Sequence, residues 1–146
     1  MRLHAYRPQR AVDHFVRWSK DEIDDRMKDV FYPDLEKKNL FSLGYVDRKS
    51  AHSRGSTVDL TLADRETGEE IDMGSPFDFF GEISRPDSGL VTAEQSANRM
   101  ILRNAMTAHG FLPVDGEWWH FKLADEPNPK TYFDFPVGAS APGGGK

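Results

Sequence analysis

Cysteine is absent from the chain. That excludes a disulfide scaffold and any thiolate-held metal, so a metal here would rest on imidazoles and carboxylates. No apolar run approaches the length a membrane-crossing helix needs, and no membrane partner is expected. An excess of positive charge is also lacking. The formal net charge is −5, which argues against a nucleic-acid partner. The opening residues, Met1 to Pro8, hold no hydrophobic stretch after Arg2. No secretory signal is therefore expected, and the location read from this start is cytoplasmic, or periplasmic if the natural N-terminus lies upstream. Internal repeats are lacking as well.

What is present suffices for one domain. An aromatic share of 12% offsets a modest apolar share of 38%, because each ring buries a large area. We expect one domain over residues 1–136 and a flexible tail over 137–146, where Pro and Gly accumulate.

Periodicity predicts a helix over 8–20, with Pro8 at its first position and Ala11, Val12, Phe15, Val16 and Trp18 as its apolar stripe. A second helix is expected over 21–31, with Ile23, Met27, Val30 and Phe31 on one side, ended by Pro33. Residues 57–63 alternate cleanly and read as a strand whose polar face carries Thr57, Asp59 and Thr61. A turn at 64–68 should lead to a return strand near 69–73. Residues 74–91, interrupted by Gly and Pro, read as a long loop of the kind that is often functional. The clearest helix is 93–109, with Thr92 and Gln95 as a capping box, Gly110 past its end, and Ala97, Met100, Ile101, Ala105 and Ala108 as its buried face. Residues 118–124 read as a strand. These elements give an α+β fold with a small, mainly antiparallel sheet flanked by helices.

Two runs carry the chemistry. Ser50 to Asp59 offers the His52 imidazole and the Asp59 carboxylate; Glu117-Trp118-Trp119-His120 offers a second imidazole with a carboxylate three residues before it. Three protein ligands plus a nearby Glu are what a catalytic zinc needs if one position stays open for water. Each residue also fits a plainer place. Asp59 reads as a solvated strand residue, His52 as a loop histidine, and the Trp pair beside His120 as core packing. Spacing adds its own objection, because side chains at separations of seven or three on a straight strand point to opposite faces. Gly55 must bend the chain for the first pair. For the second, Gly116 suggests Glu117 at a turn and His120 on the strand.

Four blocks together resemble the zinc D-alanyl-D-alanine dipeptidase family. They are Ala-Tyr-Arg-Pro-Gln-Arg-Ala-Val at 5–12, Ser-x-His-Ser-Arg-Gly-Ser-x-Val-Asp-Leu-Thr-Leu at 50–62, Asp-Met-Gly-x-x-Phe-Asp-Phe at 72–79, and Glu-Trp-Trp-His-Phe at 117–121. The wider group includes D,D-carboxypeptidases, cell-wall endopeptidases and the hedgehog-type fold. The resemblance implies one Zn²⁺ per chain held by His52, Asp59 and His120, with Glu117 as general base and Arg7 stabilising the charge that develops on the scissile carbonyl. It further implies that Ser50 and Asp78 hold the free amino group of a small dipeptide substrate. Members of the family carry several tens of residues before the Tyr-Arg-Pro block, so the resemblance implies that the sequence here lacks that N-terminal part. The expected activity is hydrolysis of D-alanyl-D-alanine. The alternatives are a D,D-carboxypeptidase or cell-wall endopeptidase acting on longer peptides, and a non-catalytic zinc-binding module.

Overall fold

The computed structural model describes residues 3–138; most of the expected tail, residues 139–146, lies outside them. A four-stranded sheet organises the chain, in the order β1 (Leu3–His4), β2 (Thr57–Leu60), β4 (Glu117–Leu123) and β3 (Phe111–Val114), with all neighbours antiparallel. Asp115 and Gly116 turn β3 into β4, a two-residue hairpin connection. With helices around this sheet, the α+β class expected from the sequence is what the chain adopts. No helix among the described residues is long and apolar enough to cross a membrane.

The helix α3 (Ala93–Ala108) begins on the expected capping box, in which Thr92 and Gln95 satisfy each other's backbone N–H groups, and Gly110 follows it at φ +82°. It lies against β3 and β4. Between helix and sheet, Met73, Phe77, Leu102, Trp118, Trp119 and Phe121 form one buried core. The helix α1 (Gln9–Trp18) matches its expected span to within two residues at each end. Val16 and Trp18 pack on a second core of Tyr32, Leu40, Val46 and Phe80.

Four expectations fail for physical reasons. The helix expected over 21–31 survives only as α2 (Lys28–Phe31). Lys37, buried with its ammonium 4.2 Å from the Trp18 ring, takes the carbonyls of Asp21 and Asp24 at 2.6 Å each, so they do not serve a helical ladder. The return strand at 69–73 shrinks to one bridge, Ala63 to Glu70. Asp72 is drawn instead to the start of α3, where it accepts from the side chains of Gln95 and Asn98. The expected buried face of α3 is outward: Ala97, Met100, Ile101, Ala105 and Ala108 are all exposed, and Arg99, Leu102 and Met106 face the sheet. Finally, Asp59 is not solvated. Thr57, Asp59 and Thr61 are all buried, more deeply than the apolar residues between them.

The segment after β4 crosses behind the site. Glu126 pairs with Arg54 through two hydrogen bonds of 2.8 Å. Phe133 donates its N–H to the Ser53 carbonyl, and Gln9 donates to the Phe133 carbonyl. Arg10 holds Asp134, and the Tyr6 ring stacks on Phe135.

Candidate metal and catalytic site

His52 sits in a short 3-10 turn, Ala51–Arg54. Ser50 caps that turn by accepting from the His52 N–H at 3.3 Å, and Gly55 ends it at φ +75°, a region where a Cβ is strained. This is the bend that the separation of seven requires. The His52 Nδ1 lies 2.6 Å from the Ala5 carbonyl. A carbonyl only accepts, so Nδ1 carries the proton and Nε2 keeps its lone pair for the site. Nε2 lies 3.0 Å from Asp59 Oδ2.

Asp59 stands on β2 directly opposite His120 on β4. On its other side β4 carries an irregularity: Pro113 faces Phe121, but Val114 faces Glu117. Residues 118–120 therefore bulge out of the β3 ladder. Glu117 is the first residue of the strand, not part of a turn as expected, and the bulge brings its Oε2 within 3.2 Å of His120 Nδ1. Trp118 leaves the His120 face for the core, where its ring meets Trp119 at 5.3 Å and its indole N–H donates to Ser75 Oγ.

His52, Asp59 and His120 bring one ligand atom each to within 4.8 Å of one another. Asp59 is only 1% exposed. Its Oδ1 lies 2.9 Å from His120 Nδ1, yet no hydrogen bond is directed at that oxygen. A buried carboxylate oxygen in this condition is costly, and a cation shared with two imidazoles satisfies it. The two-nitrogen, one-oxygen donor set suits zinc and similar ions. Burial alone pushes the Asp59 carboxyl up, but the two imidazoles outweigh it and hold it far below the usual carboxylate range. Burial pushes His120 down, while Asp59 and Glu117 push it up, for a net value of about 9.

Arg7 approaches from β1. Its backbone is tied to the His52 turn, donating to the His52 carbonyl and accepting from Ser53 Oγ at 2.7 Å, and one guanidinium nitrogen stands 4.0 Å from Asp59 Oδ2. Asp78, on the long loop, meets His4 at 3.4 Å. Burial and the negative charge of Asp59 raise its carboxyl, against the pull of His4 and Arg7. Ser50, Arg7, Asp78, Glu117 and the three clustered residues all line one cavity of about 890 Å³, whose far wall is aromatic and includes Phe15, Trp18 and Phe80. Every site residue expected from the sequence thus reaches one place. The sequence reading missed His4, which together with Asp59 and Asp78 forms a second close group of ligand-type atoms. A two-residue strand is too short to show alternation, so no signal marked it.

Comparison with known proteins shows which family the chain belongs to. A D-alanyl-D-alanine dipeptidase of Streptomyces coelicolor is 49% identical over 133 residues, covering 91% of this chain and 66% of that protein. Dipeptidases of the same description from Enterococcus faecalis and Enterococcus faecium are 47% and 45% identical over the same share of both chains. The chain thus spans about two thirds of the length of these curated relatives. The family model described as D-ala-D-ala dipeptidase matches residues 1–138, and the chain belongs to that peptidase family.

Proposed function

We propose that this chain is a zinc-dependent dipeptidase that hydrolyses D-alanyl-D-alanine to two molecules of D-alanine. The observation that carries the reading is the buried convergence of His52, Asp59 and His120 with Glu117 at 3.2 Å from the last. The activity for which the relatives are named and the shared family support the substrate.

His52 Nε2, Asp59 and His120 Nδ1 would hold the ion. When bound, it supplies Lewis acidity toward the scissile carbonyl and lowers the pKa of a water. Glu117 takes the proton of the attacking water and returns it to the leaving amine as the C–N bond breaks. The Arg7 guanidinium, mounted on the His52 turn, offers its N–H groups to the oxygen on which negative charge develops. Asp78 and Ser50 receive the substrate ammonium; a carboxylate inside the cavity is the natural partner for that charge.

A second reading rests on the openness of the site. The cavity is a half-open cleft, and an open cleft also admits longer peptides, the substrates of a D,D-carboxypeptidase or endopeptidase. Two measurements test the proposal. Purified protein should carry close to one zinc, lost in His52→Ala and in His120→Ala; unchanged zinc in both removes the mechanism. D-alanine release should be faster from the free dipeptide than from its N-acylated form, and the reverse preference selects the second reading.

A further inference from the structure

We infer that Arg99 is a positioning residue for Asp78: one buried guanidinium ties the entrance of the long loop to its 3-10 turn and so sets the place where the substrate ammonium docks. The inference rests on the dipeptidase reading for Asp78's role, but the clamp itself is a feature of the loop.

Arg99 projects from the middle of α3 and is 4% exposed. A buried cation ordinarily has a carboxylate beside it. This one is held by carbonyls instead: Nε donates to Met73 at 2.7 Å, Nη1 to Arg85 at 2.9 Å and Nη2 to Ile83 at 2.9 Å. Met73 precedes the loop, Ile83 lies within its 3-10 turn (Glu82–Ser84), and Arg85 caps that turn. The guanidinium carbon also lies 5.6 Å from the centre of the Trp118 ring, whose indole N–H donates to Ser75 in the same loop. Arg99 therefore joins the loop to the bulge that aims Glu117 and His120.

Asp78 stands between the clamped residues. It is the one non-glycine among the described residues with positive φ, at 63°. A residue with a Cβ persists there only where its surroundings impose it. The loop entrance is equally constrained. Gly74 is at φ +86°, and a Cβ there would come within 2.7 Å of the Val91 side chain. With residues 73, 83 and 85 tied to one guanidinium, the chain between them has little freedom, and Asp78 is held toward His4 and the cavity. A planar fork with five donors can serve three separated carbonyls, whereas a lysine ammonium is a single point on a flexible stem.

The test compares the wild type with Arg99→Lys. Steady-state kinetics on D-alanyl-D-alanine should show KM raised about tenfold with kcat little changed, the pattern of lost ground-state binding. Asp78→Asn should raise KM in the same way, and the double variant should lose little more, because both act on one contact. Zinc content should stay at the wild-type level. A loss carried by kcat with KM held, or fully additive losses, overturns the inference. Hydrogen exchange supplies an arm independent of turnover. In Arg99→Lys the amides of 74–91 should exchange faster while those of β2 and β4 hold; unchanged loop protection also overturns it. Should the variant not fold, the wild type still decides: the Phe80, Ser84 and Arg85 amides should be as protected as those around Leu102 in α3, and fast exchange there sinks the clamp. A wild type that turns over no dipeptide defeats the proposed function, and the exchange result then stands by itself.

Discussion

Glu117 and His120 lie three residues apart on one strand, a spacing that should send their side chains to opposite faces, yet their side chains meet at 3.2 Å. The bulge opposite Pro113 and Val114 resolves the contradiction. Residue type and block order made both residues legible in the sequence; the backbone irregularity that lets them cooperate was not, because nothing in Glu-Trp-Trp-His states its hydrogen-bond register. Asp59 and Arg99 taught the opposite lesson. A polar residue in an alternating strand and an arginine on a helix both invite a water-facing place, yet both are buried: three carbonyls distant in sequence satisfy Arg99, and two imidazoles stand against Asp59, whose Oδ1 still lacks a hydrogen bond. At this scale the sharpest prediction concerns Glu117. Replacing it with Gln keeps the size and removes the base. Turnover of the dipeptide should fall by about 100- to 10,000-fold, the usual worth of a positioned general base, with zinc content unchanged by metal analysis. A variant retaining near wild-type kcat would transfer the base role to another group.

At the scale of elements, the capped helix α3 and the strand β4 were legible, since caps and β-rich runs are local signals. The second helix and the return strand were not, because Lys37 and the α3 N-terminus compete for their backbone groups from outside. The crossing segment 126–135 was invisible for a related reason: it has no periodicity, and its order comes from ties to Arg54, Ser53, Gln9 and Arg10. Those ties fasten the His52 turn and the Arg7 arm from behind. The Arg54–Glu126 pair is the deepest of them, with side chains 14% and 6% exposed. Glu126→Gln leaves a largely buried guanidinium without its charge partner and should cost about 2 kcal/mol, read as a lower urea midpoint at constant slope. The same pair predicts a pH dependence. Arg54 holds the Glu126 carboxyl below its ordinary value of 4.5, so its stabilisation is present above that value and is lost as pH falls through the lower folded one. The stability gap between wild type and Glu126→Gln should therefore close in acid; a gap that stays constant below pH 4.5 would assign the stability to packing instead.

Across the whole molecule, the three clustered side chains come from the turn at 51–54, the strand β2 and the strand β4, so one ion would join the first half of the chain to its last strand. Before an ion can bind, a proton must leave. With the metal stripped, His120 titrates at about 9, above its ordinary 6.5, because Asp59 and Glu117 outweigh burial. Protonation of the folded form therefore stabilises the stripped protein fully below pH 6.5, and that contribution fades as pH rises through about 9. Zinc competes with the same proton for the same nitrogen. Two opposite trends follow for one preparation. The thermal midpoint of chelated protein should decline as pH rises through this window. The rise in midpoint produced by a fixed excess of zinc should grow over the same window, since affinity increases as the competing proton is removed and stabilisation follows the ratio of free ion to its dissociation constant. Calorimetric titration in buffers of different ionisation enthalpy should count about one proton released per ion at neutral pH. A zinc-induced shift independent of pH would place the ion away from His120 and break the link between the two halves of the chain.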